Sequence, residues 1–270
     1  MEHFEKFKSY IPFDLLQPMN FIIATVVLIL IIIFRYFLLA GAFWLGFYKS
    51  KLQSIKKRQI YDFLPDSSQQ LYEIKWSMYT SIVFGLSGVV MGLMWQNNLT
   101  QIYLKFNQFG YWYLPVSFIL TSLVHELYFY WTHRWLHQPK IFKLFHKVHH
   151  HSVTPSPWAS FSFHPVEGVI QALALPLIVL VVPLHPLVVL IYLTAMTISA
   201  VSNHLGFEIL PQNSEKFLAK WFVSGVHHTQ HHRYYRYNFS LFYPFLDVLF
   251  KTEHPQFSRD FRTVFDKKAK

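Results

Sequence analysis

The chain has 270 residues, of which 53% are hydrophobic and only 14% charged, and its mean hydropathy of +0.24 is too high for an ordinary water-soluble domain of this length. It contains no cysteine, which excludes disulfide scaffolds, thiolate zinc sites, iron–sulfur clusters, thiolate haem and cysteine nucleophiles. The net charge of +10 gathers beside apolar segments, as Lys49, Lys51, Lys56, Lys57 and Arg58 and again as Arg259, Arg262, Lys267, Lys268 and Lys270. That placement fits membrane topology or anionic lipid and argues against nucleic acid as a partner.

The first apolar run covers residues 21–47 and is interrupted by one charge, Arg35. A mid-bilayer arginine costs about 2.5 to 3.5 kcal/mol on the insertion scale, and the leucines, isoleucines, valines and phenylalanines of the run outweigh it at roughly −0.3 to −0.6 kcal/mol each. The run is too long and starts too late for a cleavable signal peptide, so it is expected to remain as an anchor. Further apolar stretches cover residues 76–95, 111–131, 169–182 and 187–201. The last two are short, and Pro183-Leu184-His185-Pro186 between them is expected to tip a helical hairpin that enters the bilayer and returns.

The fold class expected is therefore all-α, a multi-pass membrane bundle of four or five helices, the last pair as a hairpin. Lysine and arginine gather after the first segment and in the last 70 residues, whereas residues 96–110 carry only Lys105. By the positive-inside rule the basic loops are cytoplasmic. Residues 133–164 and the chain from Asn203 onward then fall on the cytoplasmic face, where they form a histidine-rich helical cap.

Sixteen histidines against 14 carboxylates make imidazole the dominant ligand supply. At the end of the third segment, Glu126, Tyr130, His133 and His137 fall on one stripe of an α-helix. Two histidines at i and i+4 can grip one metal, and a carboxylate a turn or two away can orient an imidazole by accepting its other N–H. Two further groups repeat the spacing H-x-x-H-H: His146, His149 and His150, then His228, His231 and His232. On a helix this spacing puts the first and last imidazoles on one face and the middle one close by.

These eight paired or repeated imidazoles exceed the three or four ligands of one zinc-like site, so two metals are expected. His204, after the returning hairpin, is an additional candidate ligand. The roles of His125, His151, His164, His227 and Glu208 are open at this stage. Imidazole suits zinc, copper, iron and nickel alike, and ligand type alone does not choose among them. The chain has no E-x-x-H pair, no H-E-x-x-H, no G-x-S-x-G and no glycine-rich dinucleotide or phosphate loop.

The order H-x-x-x-H, H-x-x-H-H, H-x-x-H-H resembles the fatty acid hydroxylase and sterol desaturase superfamily of integral-membrane di-iron enzymes. The likeness extends to Tyr-Trp-Thr-His133-Arg134 after an acidic residue, here Glu126 where aspartate is usual, to His164-Pro-Val-Glu167, and to Asn238-Phe followed by Asp247-Val-Leu-Phe-Lys-Thr252. Ser240 and Lys251 stand where glycine is common, and Glu208 stands where some hydroxylases place a histidine.

The resemblance implies a membrane anchor over residues 1–110, a catalytic domain over 111–252 and a basic tail over 253–270. It further implies two iron ions, dioxygen as cosubstrate and a membrane lipid, of sterol or fatty acyl type, that is hydroxylated or desaturated at an unactivated C–H bond. Electrons would come from an external donor, ferredoxin or a cytochrome b5-like protein with its reductase, since the chain shows no flavin, haem or nicotinamide signature. Other lipid chemistry on the same scaffold is the alternative: ether-lipid cleavage, aldehyde decarbonylation or carotenoid hydroxylation. A membrane metal transporter would also collect histidines, but its ligands belong near the bilayer midplane, whereas these lie mostly outside the apolar runs.

Overall fold

A computed structural model describes residues 14–266, and among them the regular structure is helical, with only two isolated β-bridges. Helix α1, Pro18–Tyr48, runs for 31 residues, about 46 Å at 1.5 Å per residue, more than a bilayer core requires. Pro18 in its first turn suits the start of a helix, where the missing N–H costs nothing. Helix α2, Ser67–Gln96, is capped by Asp66, whose side chain accepts from Gln69 N at 2.8 Å. Helix α3 covers Tyr113–Leu136, α4 Pro165–Val181 and α5 Pro186–Asn203. The last two form the expected hairpin, each with proline in its first turn and a histidine, His164 or His185, accepting from the backbone N–H two residues on.

Three helices, α1, α2 and α5, are long and apolar enough to cross a membrane. Polar groups concentrated in the last three turns of α3 lower its mean hydropathy, and α4 has 17 residues. The outward faces of α1 are apolar, with Leu30 and Phe34 well over half exposed, a surface suited to lipid. On its inner face α1 packs closely on α2 at Gly85, where a Cβ would collide with the Ile29 side chain. The chain is an integral membrane protein.

The two ends of the bundle differ. At one end the α2–α3 connection meets the tip of the α4–α5 hairpin, through Gln101 N to Val179 O at 2.7 Å and Tyr103 N to Leu184 O at 3.0 Å. At the other end Tyr48 Oη donates to Leu205 O, and Gln69 Nε2 to Thr154 O, tying α1 and α2 to the segments that carry histidines. This end bears helix α6, Gly225–Tyr234, capped by Ser224, and helix α7, Phe257–Asp266. Phe257, Phe261 and Val264 of α7 pack with Ala219 and Val226, and Asp260 accepts from Gln230 Nε2 at 2.7 Å. Much of the basic C-terminal stretch is thus a buttress of α6 rather than a free tail; Lys267, Lys268 and Lys270 lie outside the described residues.

Candidate metal centre

Two pockets of imidazoles lie side by side where α3, α5 and α6 converge with the 142–151 segment. His133, His137, His146, His150 and His231 bring ligand nitrogens within 4.8 Å of one another, and so do His149, His204, His228 and His232. All nine sequence candidates are in one pocket or the other. Each H-x-x-H-H group divides between them: its first and last histidines enter one pocket and the middle histidine enters the other. In α6 this follows from regular helix, since His228 and His232 are separated by one turn. The 146–150 group departs from the expected α-helix. Phe142–His146 is a wide π-helical turn and His149–His151 a tight 3₁₀ turn, so local irregularity aims His146 and His150 one way and His149 the other.

The nitrogens face one another at distances that a cation would explain. His204 Nε2 stands 2.8 Å from His228 Nε2 and 3.3 Å from His149 Nε2, and His228 Nε2 lies 3.0 Å from His232 Nε2. In the other pocket, His146 and His137 approach at 3.0 Å and His150 and His231 at 3.1 Å, again through Nε2. The tautomers decide what these contacts are. His149 Nδ1 donates to Ser162 O and His204 Nδ1 to Ala200 O, which leaves each Nε2 as a bare lone pair. Two lone pairs at this separation repel unless a cation lies between them. Two nitrogens at metal-bond lengths of about 2.1 Å are about 3.0 Å apart at a right angle and about 3.4 Å apart in a tetrahedron. The donor set, all imidazole and no thiolate, fits a first-row transition metal in each pocket.

Burial keeps the imidazoles in the neutral form that binds metal. His137, His146, His149, His150, His228, His231 and His232 all have their pKa pushed below the usual histidine value, first by burial and then by neighbouring imidazoles. His204 is pushed down to about 4, chiefly by burial.

The carboxylates divide differently from expectation. Glu126 reaches no imidazole: Oε1 accepts from Leu241 N and Oε2 from Phe242 N and Tyr243 N, at 2.6 to 3.0 Å. Three backbone N–H groups in a loop outcompete an imidazole because each would otherwise be buried without a partner. Tyr130, on the same buried stripe, shares a hydrogen bond with Thr252 Oγ1. Asp247 does for the same loop what Glu126 does, accepting from Phe239 N, Ser240 N and Thr252 Oγ1. The loop then returns carbonyls to the centre: His133 Nδ1 donates to Phe239 O and His231 Nδ1 to Tyr237 O, each at 2.8 Å. The carboxylate that meets an imidazole of either pocket, among the described residues, is Glu167, which accepts from His146 Nδ1 at 2.8 Å. Glu167 was visible only as part of His164-Pro-Val-Glu167, with no periodic relation to the histidines it serves.

The remaining candidates take structural positions. His125 pairs with Tyr192 Oη, His151 stacks on Tyr72 at 4.3 Å, and His164 caps α4. His227 closes a capping box with Ser224 and stacks on Phe257 at 3.6 Å. Glu208 accepts from Leu210 N and Val226 N and joins neither pocket.

Residues 118–252, half of the chain, match the fatty acid hydroxylase family. The chain is 29% identical over 208 residues to a Delta(7)-sterol 5(6)-desaturase of Aspergillus fumigatus, covering 70% of this chain and 63% of that protein. It is 33% identical over 193 residues to a protein of the same name in Candida albicans (67% and 46%) and 33% identical over 139 residues to human lathosterol oxidase (52% and 45%). The chain thus spans about half the length of the curated relatives it matches. No solved structure matches it.

Proposed function

The chain belongs to the fatty acid hydroxylase family, and from that premise we propose that it is an oxygen-dependent oxidoreductase that desaturates or hydroxylates a C–H bond of a membrane lipid, of sterol type. The observation that carries the reading is the pair of buried imidazole pockets joined by the adjacent residues His149 and His150. The relatives' names favour a sterol and a desaturation.

Two irons are the proposed occupants, one held by His133, His137, His146, His150 and His231 and the other by His149, His204, His228 and His232. A redox metal supplies what no side chain can, the oxidising power to remove hydrogen from a carbon with neither a leaving group nor an acidic proton. The protein's part is placement. Backbone carbonyls of Phe239, Tyr237, Ser162 and Ala200 and the carboxylate of Glu167 fix which ring nitrogen carries the proton, so Nε2 is presented as the ligand.

Desaturation removes two hydrogens from the lipid and reduces dioxygen to two waters, which needs two further electrons and two protons. Ferredoxin, or a cytochrome b5-like protein with its reductase, is the proposed donor, on the cytoplasmic face with the histidine cap. The test is the anaerobically purified protein in detergent: about two irons per chain by elemental analysis, and a product two mass units lighter, or sixteen heavier, from a Δ7-sterol given dioxygen and a donor. One metal per chain, or full turnover with zinc alone, overturns the di-iron reading.

A further inference from the structure

Two adjoining cavities lead from the metal centre toward the membrane helices. The first touches imidazoles of both pockets, His133 and His149 among them, and the second runs to Phe84, Phe161 and Met196. Ser160 and Gln171 line both cavities and so stand at the junction, one on a 3₁₀ turn at Pro157–Phe161 and the other on α4. Ser160 is 1% exposed, and neither Ser160 Oγ nor Gln171 Nε2 has a hydrogen-bond partner within the protein. Buried polar atoms are nearly always paired, and two unpaired ones from separate elements facing one passage mark a place where a ligand supplies the partner.

The chemistry of that ligand is restricted. Gln171 Nε2 can only donate, so the ligand must offer an acceptor, while Ser160 Oγ can donate or accept. No lysine or arginine lines either cavity, and the unpaired Oε2 of Glu167 faces the first one. A carboxylate or phosphate headgroup would meet no counter-charge, whereas a neutral hydroxyl or carbonyl meets two partners.

We propose that Ser160 and Gln171 grip a neutral oxygen of the lipid substrate, a hydroxyl or carbonyl, and that the C–H bond oxidised lies within a few bonds of that oxygen. The first cavity holds both the grip and the imidazoles, which fixes the short separation; the apolar remainder of the lipid extends toward Phe84 and Met196. Ser160 and Gln171 are then specificity-determining residues, and a fatty acyl chain oxidised far from a charged carboxylate is a poor fit. The inference rests on the proposed lipid oxidation and adds the feature by which the lipid is recognised.

The test compares tritiated cholest-7-en-3β-ol with its 3-deoxy counterpart, cholest-7-ene, binding to the purified metal-loaded protein in detergent. The wild type is expected to bind the hydroxysterol about tenfold more tightly, the worth of one or two hydrogen bonds that would otherwise go unmade. In Ser160→Ala with Gln171→Met the preference should fall to within about twofold, with metal content and affinity for the deoxy compound unchanged. Gln171→Met alone, which removes the donor at nearly constant volume, should lose most of the preference and serves if the double variant does not fold. Equal binding of the two sterols by the wild type, or a preference that survives in a variant with full metal content, overturns the grip. Discrimination without any oxidised product removes the proposed reaction and leaves the grip standing, whereas product without discrimination does the reverse.

Discussion

Glu167 Oε1 stands 2.8 Å from His146 Nδ1, and both side chains are buried. An imidazole whose far nitrogen donates to a carboxylate is a stronger and better oriented ligand at its near nitrogen. Replacing Glu167 with glutamine keeps the shape and an acceptor but removes the charge. Metal affinity of the five-histidine pocket should fall by about 10- to 100-fold, as loss of such partners does in other metal sites. Dialysis against graded chelator, with metal counted per chain, measures it; unchanged retention would mean that the contact only packs.

Glu126 and Asp247 form a second layer of support, each holding backbone N–H groups of the 239–243 loop. Glu126→Ala strands three backbone donors, and Asp247→Ala strands two backbone donors and the Thr252 hydroxyl, at about 1 to 3 kcal/mol for each buried group left unpaired. Both variants should unfold at lower temperature. Because this loop carries Phe239 O and continues directly from Tyr237 O, they should also lose metal first from the pocket of His133 and His231. Thermal unfolding with parallel metal analysis separates the two effects, and a destabilised variant with full metal content would show that the loop does not orient the ligands.

Single alanine replacements of His149, His150, His231 or His232 should each abolish turnover and lower metal content, since each removes one nitrogen from a pocket of four or five. His185→Ala and His254→Ala should keep the metal. His185 caps α5 and lies near Leu104 O, so its loss should cost about 0.5 to 2 kcal/mol of stability, while His254, stacked on Tyr234, should cost less. His3 lies outside the described residues. Acid should release metal from the wild type, because protons compete for the same Nε2 lone pairs. Metal lost equally from the two groups of variants would mean that the pockets are drawn wrongly.

The histidine pockets were legible from the paired and repeated histidine spacings: in α6 the H-x-x-H-H spacing at helical pitch divides three imidazoles between two pockets, and at 146–150 a π turn followed by a 3₁₀ turn makes the same division. The hairpin was legible from Pro183 and Pro186, and its helices run Pro165–Val181 and Pro186–Asn203. What the sequence hid is contact made across long separations. Glu167 meets His146 from another element, and Asp247 meets Phe239 N through a loop, so no periodicity marks either. Glu126 misled because sharing a stripe with His133 fixes its side of the helix and not its partner. The α7 buttress was hidden by its charges, which made a helix with three buried apolar residues read as a basic tail.

Orientation in the membrane is open to labelling, since the native chain has no cysteine. Lys56, Val153 and Arg259 are exposed at the histidine end of the bundle, and Asn97 is exposed at the opposite end. Cysteines at the first three positions should be shielded from an impermeant reagent applied outside, and Cys at position 97 should react, as the positive-inside rule requires. Ser156 is unsuitable as a probe because it is buried against Glu73. Labelling of position 153 from outside would reverse the assignment of the metal centre to the cytoplasm.

The purified chain should be inert toward lipid and dioxygen until a separate electron donor is supplied. Each desaturation needs two electrons beyond those taken from the lipid, and these 270 residues carry no dinucleotide-binding motif and no cysteine for a cluster. The approach of such a donor is best placed where the five-histidine pocket nears the surface: Tyr235 lies 4.8 Å from His150 and 5.6 Å from Phe142, ring to ring. Lys143, Lys147, Arg233 and Arg236 are exposed around these residues in the sequence. A basic rim of this kind steers an acidic redox protein at a rate that falls as ionic strength rises. Reversing Arg233 and Arg236 to glutamate should therefore slow reduction by an acidic donor about tenfold or more at low salt, with little change at high salt and none in metal content. Multiple turnovers with NADPH and no added protein would refute the dependence on a donor, and a salt-insensitive rate in the wild type would refute only the steering.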